Sequence, residues 1–276
     1  MKILLTGSNG FLGSNILQKL EGYDITALTR NDLDLCNTED TDLFFSNNKF
    51  DVVIHCAING GNRLVTDDYS CLYQNTLMAL NLQKNKSSFN KLIHFGSGAE
   101  LDRNLDIFGY ENNIYNRVPN DYYGLSKNII ARIFDSEPNF YNLRIFNVFA
   151  EDEAARRMIK SNISNYIEDN PIVIHQDKLM DFFFIDDFIT ILKCYIDDKC
   201  SIKEIDCVYR EKVSLSQIAY KINQLSDHKV PVVVNSGARG NNYTGNYCIF
   251  FDQTKFLGLE HGIRKVYESL IWKIYL

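Results

Sequence analysis

Three glycines, Gly7, Gly10 and Gly13, follow the apolar residues 2–5 and lead into a helix-like stretch that opens with Phe11 and Leu12. A strand that turns through glycines into a helix leaves the first helical amides unobstructed, so a phosphate can sit against them without meeting a side chain. This junction also constrains the fold, because it is the first half of a βαβ unit. Strand-like runs recur at residues 25–28, 52–55, 92–95 and 143–146, with helix-like stretches near 11–20, 66–85 and 122–134 between them. Such alternation builds a parallel sheet covered by helices on both faces. The expected fold class is α/β: a Rossmann-type doubly wound parallel sheet with a smaller C-terminal α/β substrate-binding part.

After Asn147 the rhythm changes to a polar stretch at 151–157, an amphipathic segment at 158–168, a short apolar run at 171–174 and a helix opening near Asp186 and Asp187. The expected division is a dinucleotide-binding domain at 1–150, rejoined by 171–197. Residues 151–170 and 198–276 then form the smaller substrate-binding domain.

Of the 276 residues, 45% are apolar and 23% charged, which suits a soluble enzyme with a sizeable core. The formal net charge of −6 supplies no basic surplus for a nucleic-acid backbone. Gly7 interrupts the apolar start too early for a signal peptide, and no apolar run approaches the roughly 20 residues of a membrane span, so a cytoplasmic location is expected. The seven cysteines have neither CxxC nor His-paired spacing, so no metal site is expected and they read as incidental thiols.

Tyr123 and Lys127 stand at i and i+4 on one face of a helix-like segment. An ammonium beside a phenol favours the phenolate, which suits the tyrosine to proton transfer. Tyr122 is out of register, since four residues on it meets Ser126. The preceding strand ends at Ser97, where a hydroxyl can bond a substrate carbonyl while Tyr123 delivers a proton. His55, at the end of the third strand, reads as a packed residue and not as a catalyst.

Taken with the TGxxGxxG turn at residues 6–13, the Ser97, Tyr123 and Lys127 set resembles that of the extended short-chain dehydrogenase/reductase superfamily. The resemblance implies a nicotinamide dinucleotide whose pyrophosphate lies against Gly7, Asn9, Gly10, Phe11, Leu12 and Gly13. Arg30, at the end of the second strand, stands where NAD enzymes usually carry a carboxylate. It therefore favours NADP(H), with NAD(H) left open by the nearby Asp32. Asp34 and Leu35 resemble the adenine-contacting segment, and Cys56, Ala57 and Ile58 the small-residue turn beside the cofactor. Lys127 is then expected to bind the nicotinamide ribose as well as to tune Tyr123.

Within that superfamily the chain most resembles fucose synthase-like reductases of 4-keto-6-deoxy sugar nucleotides. Their epimerising cysteine is replaced by Ala99, and no histidine stands near residues 156–160, which implies C4-keto reduction without C3/C5 epimerisation. Gly98 and Ala99 also replace the Asp-Glu pair of the dehydratases. Met180 stands where an arginine usually meets the substrate diphosphate, so Arg157, Lys160, Lys178 and Arg239 are the expected cations, with Ser97, Gly98 and Asn147 also near the substrate. A 4-epimerase holding NAD, or a cofactor-binding sensor without turnover, are the alternatives. The segments 66–85 and 122–134 resemble those that pair in homodimers of the superfamily.

Overall fold

The computed structural model describes residues 1–62, 65–108, 113–235 and 240–274, with residues 273 and 274 described by backbone alone. The first half runs β1 (Lys2–Thr6), α1 (Phe11–Lys19), β2 (Asp24–Leu28), α2 (Thr38–Asn47), β3 (Phe50–His55), α3 (Tyr69–Lys84), β4 (Phe89–Ser97), α4 (Tyr122–Asp135) and β5 (Phe140–Ile145). It continues through β6 (Val148–Phe149), α5 (Met158–Ile167), β7 (Ile172–Ile174), β8 (Phe183–Phe184), α6 (Ile185–Ile196), β9 (Glu204–Cys207), α7 (Leu215–Ile222), β10 (Val232–Val234) and α8 (Leu259–Ile274).

The main sheet has the order β2-β1-β3-β4-β5-β9, and β1–β2, β1–β3, β3–β4 and β4–β5 are all parallel pairs. The fold is thus the expected Rossmann-type α/β architecture. After β1 the chain goes to one side for β2 and returns to the other for β3. The crevice at this reversal lies beyond the carboxyl ends of β1 and β3, where such sheets take ligands. Leu4, Val53 and Leu92 of the central strands are fully buried, covered by Phe45 of α2, Leu82 of α3 and Ile130 and Phe134 of α4. Strands buried on both faces read as near-continuous apolar runs, which is why the sequence pattern exposes them.

Among the described residues the chain forms two compact units, one drawn from 1–104, 110–145 and 191–206 and the other from 105–109, 146–190 and 207–276. The segment that rejoins the first unit is therefore 191–206, not 171–197. The reason is pairing: β7 lies parallel to β10 in a separate two-stranded sheet, whereas β9 adds to the edge of the main sheet. The second unit packs α5 against α7 and α8, and Gly262 of α8 is small because Phe149 and Phe184 fill the space its Cβ would take. Helix α2 was not among the expected helices. Asn37 caps it by accepting from the Asp40 amide, but only Thr41 and Phe45 of its ten residues are buried, so it carries little periodic signal.

No helix among the described residues is long and apolar enough to cross a membrane.

Candidate active site

Gly7 adopts a positive φ of 66°, and a Cβ there would lie 2.7 Å from the Ala57 amide nitrogen. Gly13 is equally constrained, since its Cβ would lie 2.2 Å from the Gly7 carbonyl oxygen. These two glycines let α1 close onto the turn and the turn onto the end of β3. At Gly10 an added Cβ would meet the Gly7 carbonyl oxygen at 3.4 Å, an ordinary contact. Gly10 is the N-cap of α1 and offers no side-chain cap, so the first turn of α1, at Leu12 and Gly13, presents its amides to an anion. A pyrophosphate fits this cradle. A cavity of about 200 Å³ continues from it, lined by Gly7, Asn9, Gly10, Arg30, Asp34, Leu35, Cys56, Ala57 and Ile58, together with Asn59 and Met78, which sequence reasoning did not single out.

At the end of that cavity beyond β2, Arg30 pairs with Asp34 at 3.2 Å, both partly exposed. Asp34 is held below the usual carboxylate range: burial pushes it up, but the Cys36 amide and Arg30 outweigh that. Asp32 is turned back on its own loop, accepting from the amide and hydroxyl of Thr29 at 2.8 and 2.7 Å, and those bonds hold it low. The guanidinium is thus carried at the rim, while Asp32 is occupied by Thr29. On the β3 side Ala57 donates to the Thr6 hydroxyl at 3.3 Å, and that hydroxyl shares a 2.9 Å bond with His55 Nδ1. His55 is 1% exposed and its ring stacks on His94. Burial, and then the charge of Lys127, lower its pKa to about 3.

Ser97 ends β4 and caps the 3₁₀ turn Gly98–Leu101. Its Oγ accepts from the Ala99 amide at 3.1 Å, which leaves the hydroxyl hydrogen for another acceptor. The start of α4 is fastened to this turn. Gly124 sits where a Cβ would be 2.9 Å from the Ala99 carbonyl, and the α4 N-cap Asp121 accepts from the Gly124 amide and from Arg103. Tyr123, on the first turn of α4, is half-buried, with the Gly61 backbone against its ring and the Arg103 guanidinium 5.8 Å from the ring centre. One turn on, Lys127 is 4% exposed and donates to the Phe95 carbonyl at 2.6 Å. Burial brings its pKa down to about 8, and Glu100 is the first of the groups that oppose the fall. The fold thus carries Ser97, Tyr123 and Lys127 on two elements packed on each other.

Several supporting residues escape sequence reasoning. Asn75, fully buried on α3, accepts from the Asn59 amide and donates to the Asn59 carbonyl and to Ser126 Oγ, tying the loop after β3 to α3 and α4. Its place in mid-helix, within the stretch Tyr73-Gln74-Asn75 that resembles the family, is the signal that marks it. Glu100 is another, described below.

The expected substrate residues are dispersed. Gly98 opens the 3₁₀ turn beside Ser97. The half-buried Asn147 side chain donates to the Asp181 carbonyl, its main-chain carbonyl accepts from the Phe183 amide, and buried Lys160 donates to the carbonyls of Glu151 and Glu153, so both side chains are engaged with main chain. Arg157 pairs with Glu153 at 3.1 Å and donates to the Val148 carbonyl, remaining partly exposed. Lys178 is half-buried, its stem beside Gly240, and Arg239 lies outside the described residues. Near the missing arginine at Met180, the buried Asp181 pairs with Lys212 at 2.7 Å.

Comparison with known proteins agrees with this geometry. A GDP-L-fucose synthase from Azorhizobium caulinodans is 30% identical over 151 residues, 50% of this chain and 48% of that protein. A GDP-L-colitose synthase from Yersinia pseudotuberculosis is 29% identical over 112 residues, 38% of this chain and 36% of that protein. The matched stretches thus span about half the length of these relatives or less. Among solved structures, a GDP-mannoheptose C4 reductase from Campylobacter jejuni with NADP bound superposes with a TM-score of 0.79 at 18% identity over 98% of both chains. A UDP-glucose 4-epimerase from Thermotoga maritima does so with 0.80 at 16% identity, over 99% of this chain and 100% of that one. At such identities these two show a shared fold. The model of the NAD dependent epimerase/dehydratase family matches residues 3–206, from β1 to β9, and the chain belongs to that family.

Proposed function

We propose that the protein is an NADPH-dependent reductase of the C4 keto group of a nucleotide-diphosphate-linked 4-keto-6-deoxy sugar, acting without C3/C5 epimerisation. The observation that carries the reading is the packing of the Ser97 turn against the Tyr123–Lys127 helix beside the glycine cradle. When bound, a reduced nicotinamide supplies the hydride for the substrate carbonyl carbon. Tyr123 Oη gives its proton to the C4 oxygen as negative charge develops there, and Ser97 Oγ donates a hydrogen bond to the same oxygen. Lys127 keeps a positive charge one turn from Tyr123 and so favours the phenolate left behind.

Ala99, in place of an acid or base, supports reduction without epimerisation. Arg30 at the rim, with Asp32 turned onto Thr29, supports NADP(H) over NAD(H). Arg157 and Lys178 are the proposed cations for the substrate diphosphate. A homodimer belongs to the same proposal. Tyr69 and Tyr73 of α3 and Tyr122 of α4 are 63%, 53% and 43% exposed and lie against one another as an uncovered aromatic cluster.

Purified protein given NADPH and a panel of GDP-, dTDP-, CDP- and UDP-4-keto-6-deoxy sugars is expected to oxidise NADPH with at least one of them. Oxidation with none, together with stoichiometric NAD released on denaturing the protein, would instead identify a 4-epimerase.

A further inference from the structure

Glu100 lies in the 3₁₀ turn three residues after Ser97 and is completely buried. Three N–H donors converge on its carboxylate. The Ser97 amide reaches Oε1 at 2.8 Å, and Arg144 Nε and Asn142 Nδ2 reach Oε2 at 3.0 and 3.2 Å. Arg144 is itself held by Asp206 and Glu204, each at 2.6 Å, and Asn128 of α4 donates to the Glu100 carbonyl at 2.8 Å. Strand β4 makes room for this carboxylate, because a Cβ at Gly96 would stand 2.2 Å from Glu100 Oε1. Burial raises the pKa of Glu100 above the usual carboxylate value, and Arg144 is the first of the groups that oppose the rise; a buried carboxylate is costly unless something requires it.

The groups facing Lys127 suggest what does. From β3 and β4 these are His55 and His94, both kept neutral by burial. From the loop after β3 and from α3 they are Cys56 and Cys71, whose thiols burial pushes up. On α4 itself Tyr123 stands one turn away, and Glu100 is the first of the groups that favour the charged amine. We propose that Glu100 is a positioning residue for the triad: clamped by Arg144, its carboxylate fixes the turn that presents Ser97 and supplies the negative charge that keeps Lys127 an ammonium. Its kinetic consequences rest on the reductase reading; its effect on Lys127 does not.

Two variants separate the roles. Glu100→Gln keeps an acceptor for the Ser97 amide and removes the charge, whereas Glu100→Asp keeps the charge and withdraws the acceptor by one methylene. Lys127 is titrated in the protein by ¹³C NMR of ε-labelled lysine, with Lys127→Met as the assignment control. Glu100→Gln is expected to lower the midpoint from about 8 by about one pH unit. The alkaline limb of NADPH-dependent turnover should move with it. Glu100→Asp should leave that midpoint in place and lower kcat about tenfold with the sugar KM little changed. Folded Glu100→Gln with the wild-type Lys127 midpoint, or folded Glu100→Asp with the wild-type kcat, overturns the proposal. If either variant fails to fold, the other decides. If wild-type protein reduces no sugar nucleotide, the reductase reading fails and the Lys127 titration still tests this one.

Discussion

Arg30 and Lys127 are the residues at which charge does most of the discriminating. Arg30 follows β2 and pairs with the partly exposed Asp34. Replacing it with alanine should weaken NADPH binding about tenfold and leave NADH binding nearly unchanged, as read by cofactor fluorescence titration. An equal loss for both cofactors would remove Arg30 from the 2′-phosphate. Burial pushes Lys127 down to about 8 in the folded protein, against about 10.4 for a lysine in water. Between those values the unfolded chain still holds a proton that the folded one has released, so this group makes stability rise with pH across that window. Below it the folded state bears the full cost of burying the ammonium. Lys127→Met should therefore be more stable by about 1–2 kcal/mol at pH 7 in urea denaturation while losing turnover. The glycines and the Tyr123–Lys127 spacing were legible in the sequence because each acts through neighbours within one turn. Glu100 was not: its partners Asn142 and Arg144 lie on β5, Arg144 is in turn held by Asp206 on β9, and only the sheet order brings them under Ser97.

The strands were the most legible elements, since burial on both faces leaves long apolar runs. Helix α2 was hidden by its half-exposed surface, and β7 was misplaced because a three-residue apolar run does not say which sheet it joins. Strands β3 and β4 also set side by side a pair of histidines that sequence alone presents as unrelated. His55 and His94 stack with ring centres 5.5 Å apart, and neither ring nitrogen of His94 has a hydrogen-bond partner. Burial lowers both pKa values, so the pair contributes stability that is full above the unfolded value of about 6.5 and is lost as pH falls. Between pH 6.5 and 5.5 the pair should lower the unfolding free energy by about 2 kcal/mol. Glu153, whose pKa burial raises to about 7, opposes this by about 1 kcal/mol. The net drop in urea titrations should therefore be about 1 kcal/mol, and His94→Leu should remove most of it. A free energy that instead rose as pH fell across that interval would mean that the pair is protonated in the folded state.

At the scale of the whole molecule, the Rossmann architecture and family membership follow from the sheet and its glycine turn, while the substrate is set by residues the alternating pattern does not mark. Asn147 and Lys160 show why. Their positions in the chain suggested ligands, yet main-chain carbonyls after β6 and before β8 take up their donors. Association is likewise decided by a surface, not a motif. Sedimentation equilibrium should find a dimer at micromolar protein, and Tyr69→Glu with Tyr73→Glu should give a folded monomer; a monomeric wild type would mean that the aromatic cluster serves something else.

The central claim is direct reduction at C4, and it is tested by supplying NADPH deuterated at the nicotinamide C4 position that is transferred, with the 4-keto sugar nucleotide that turns over. Reduction at C4 by the Ser97, Tyr123 and Lys127 site predicts one deuterium per product molecule, bound at sugar C4, with none incorporated at C3 or C5 from D₂O. Product that forms without deuterium at C4, or that gains deuterium at C3 or C5 from solvent, would contradict it.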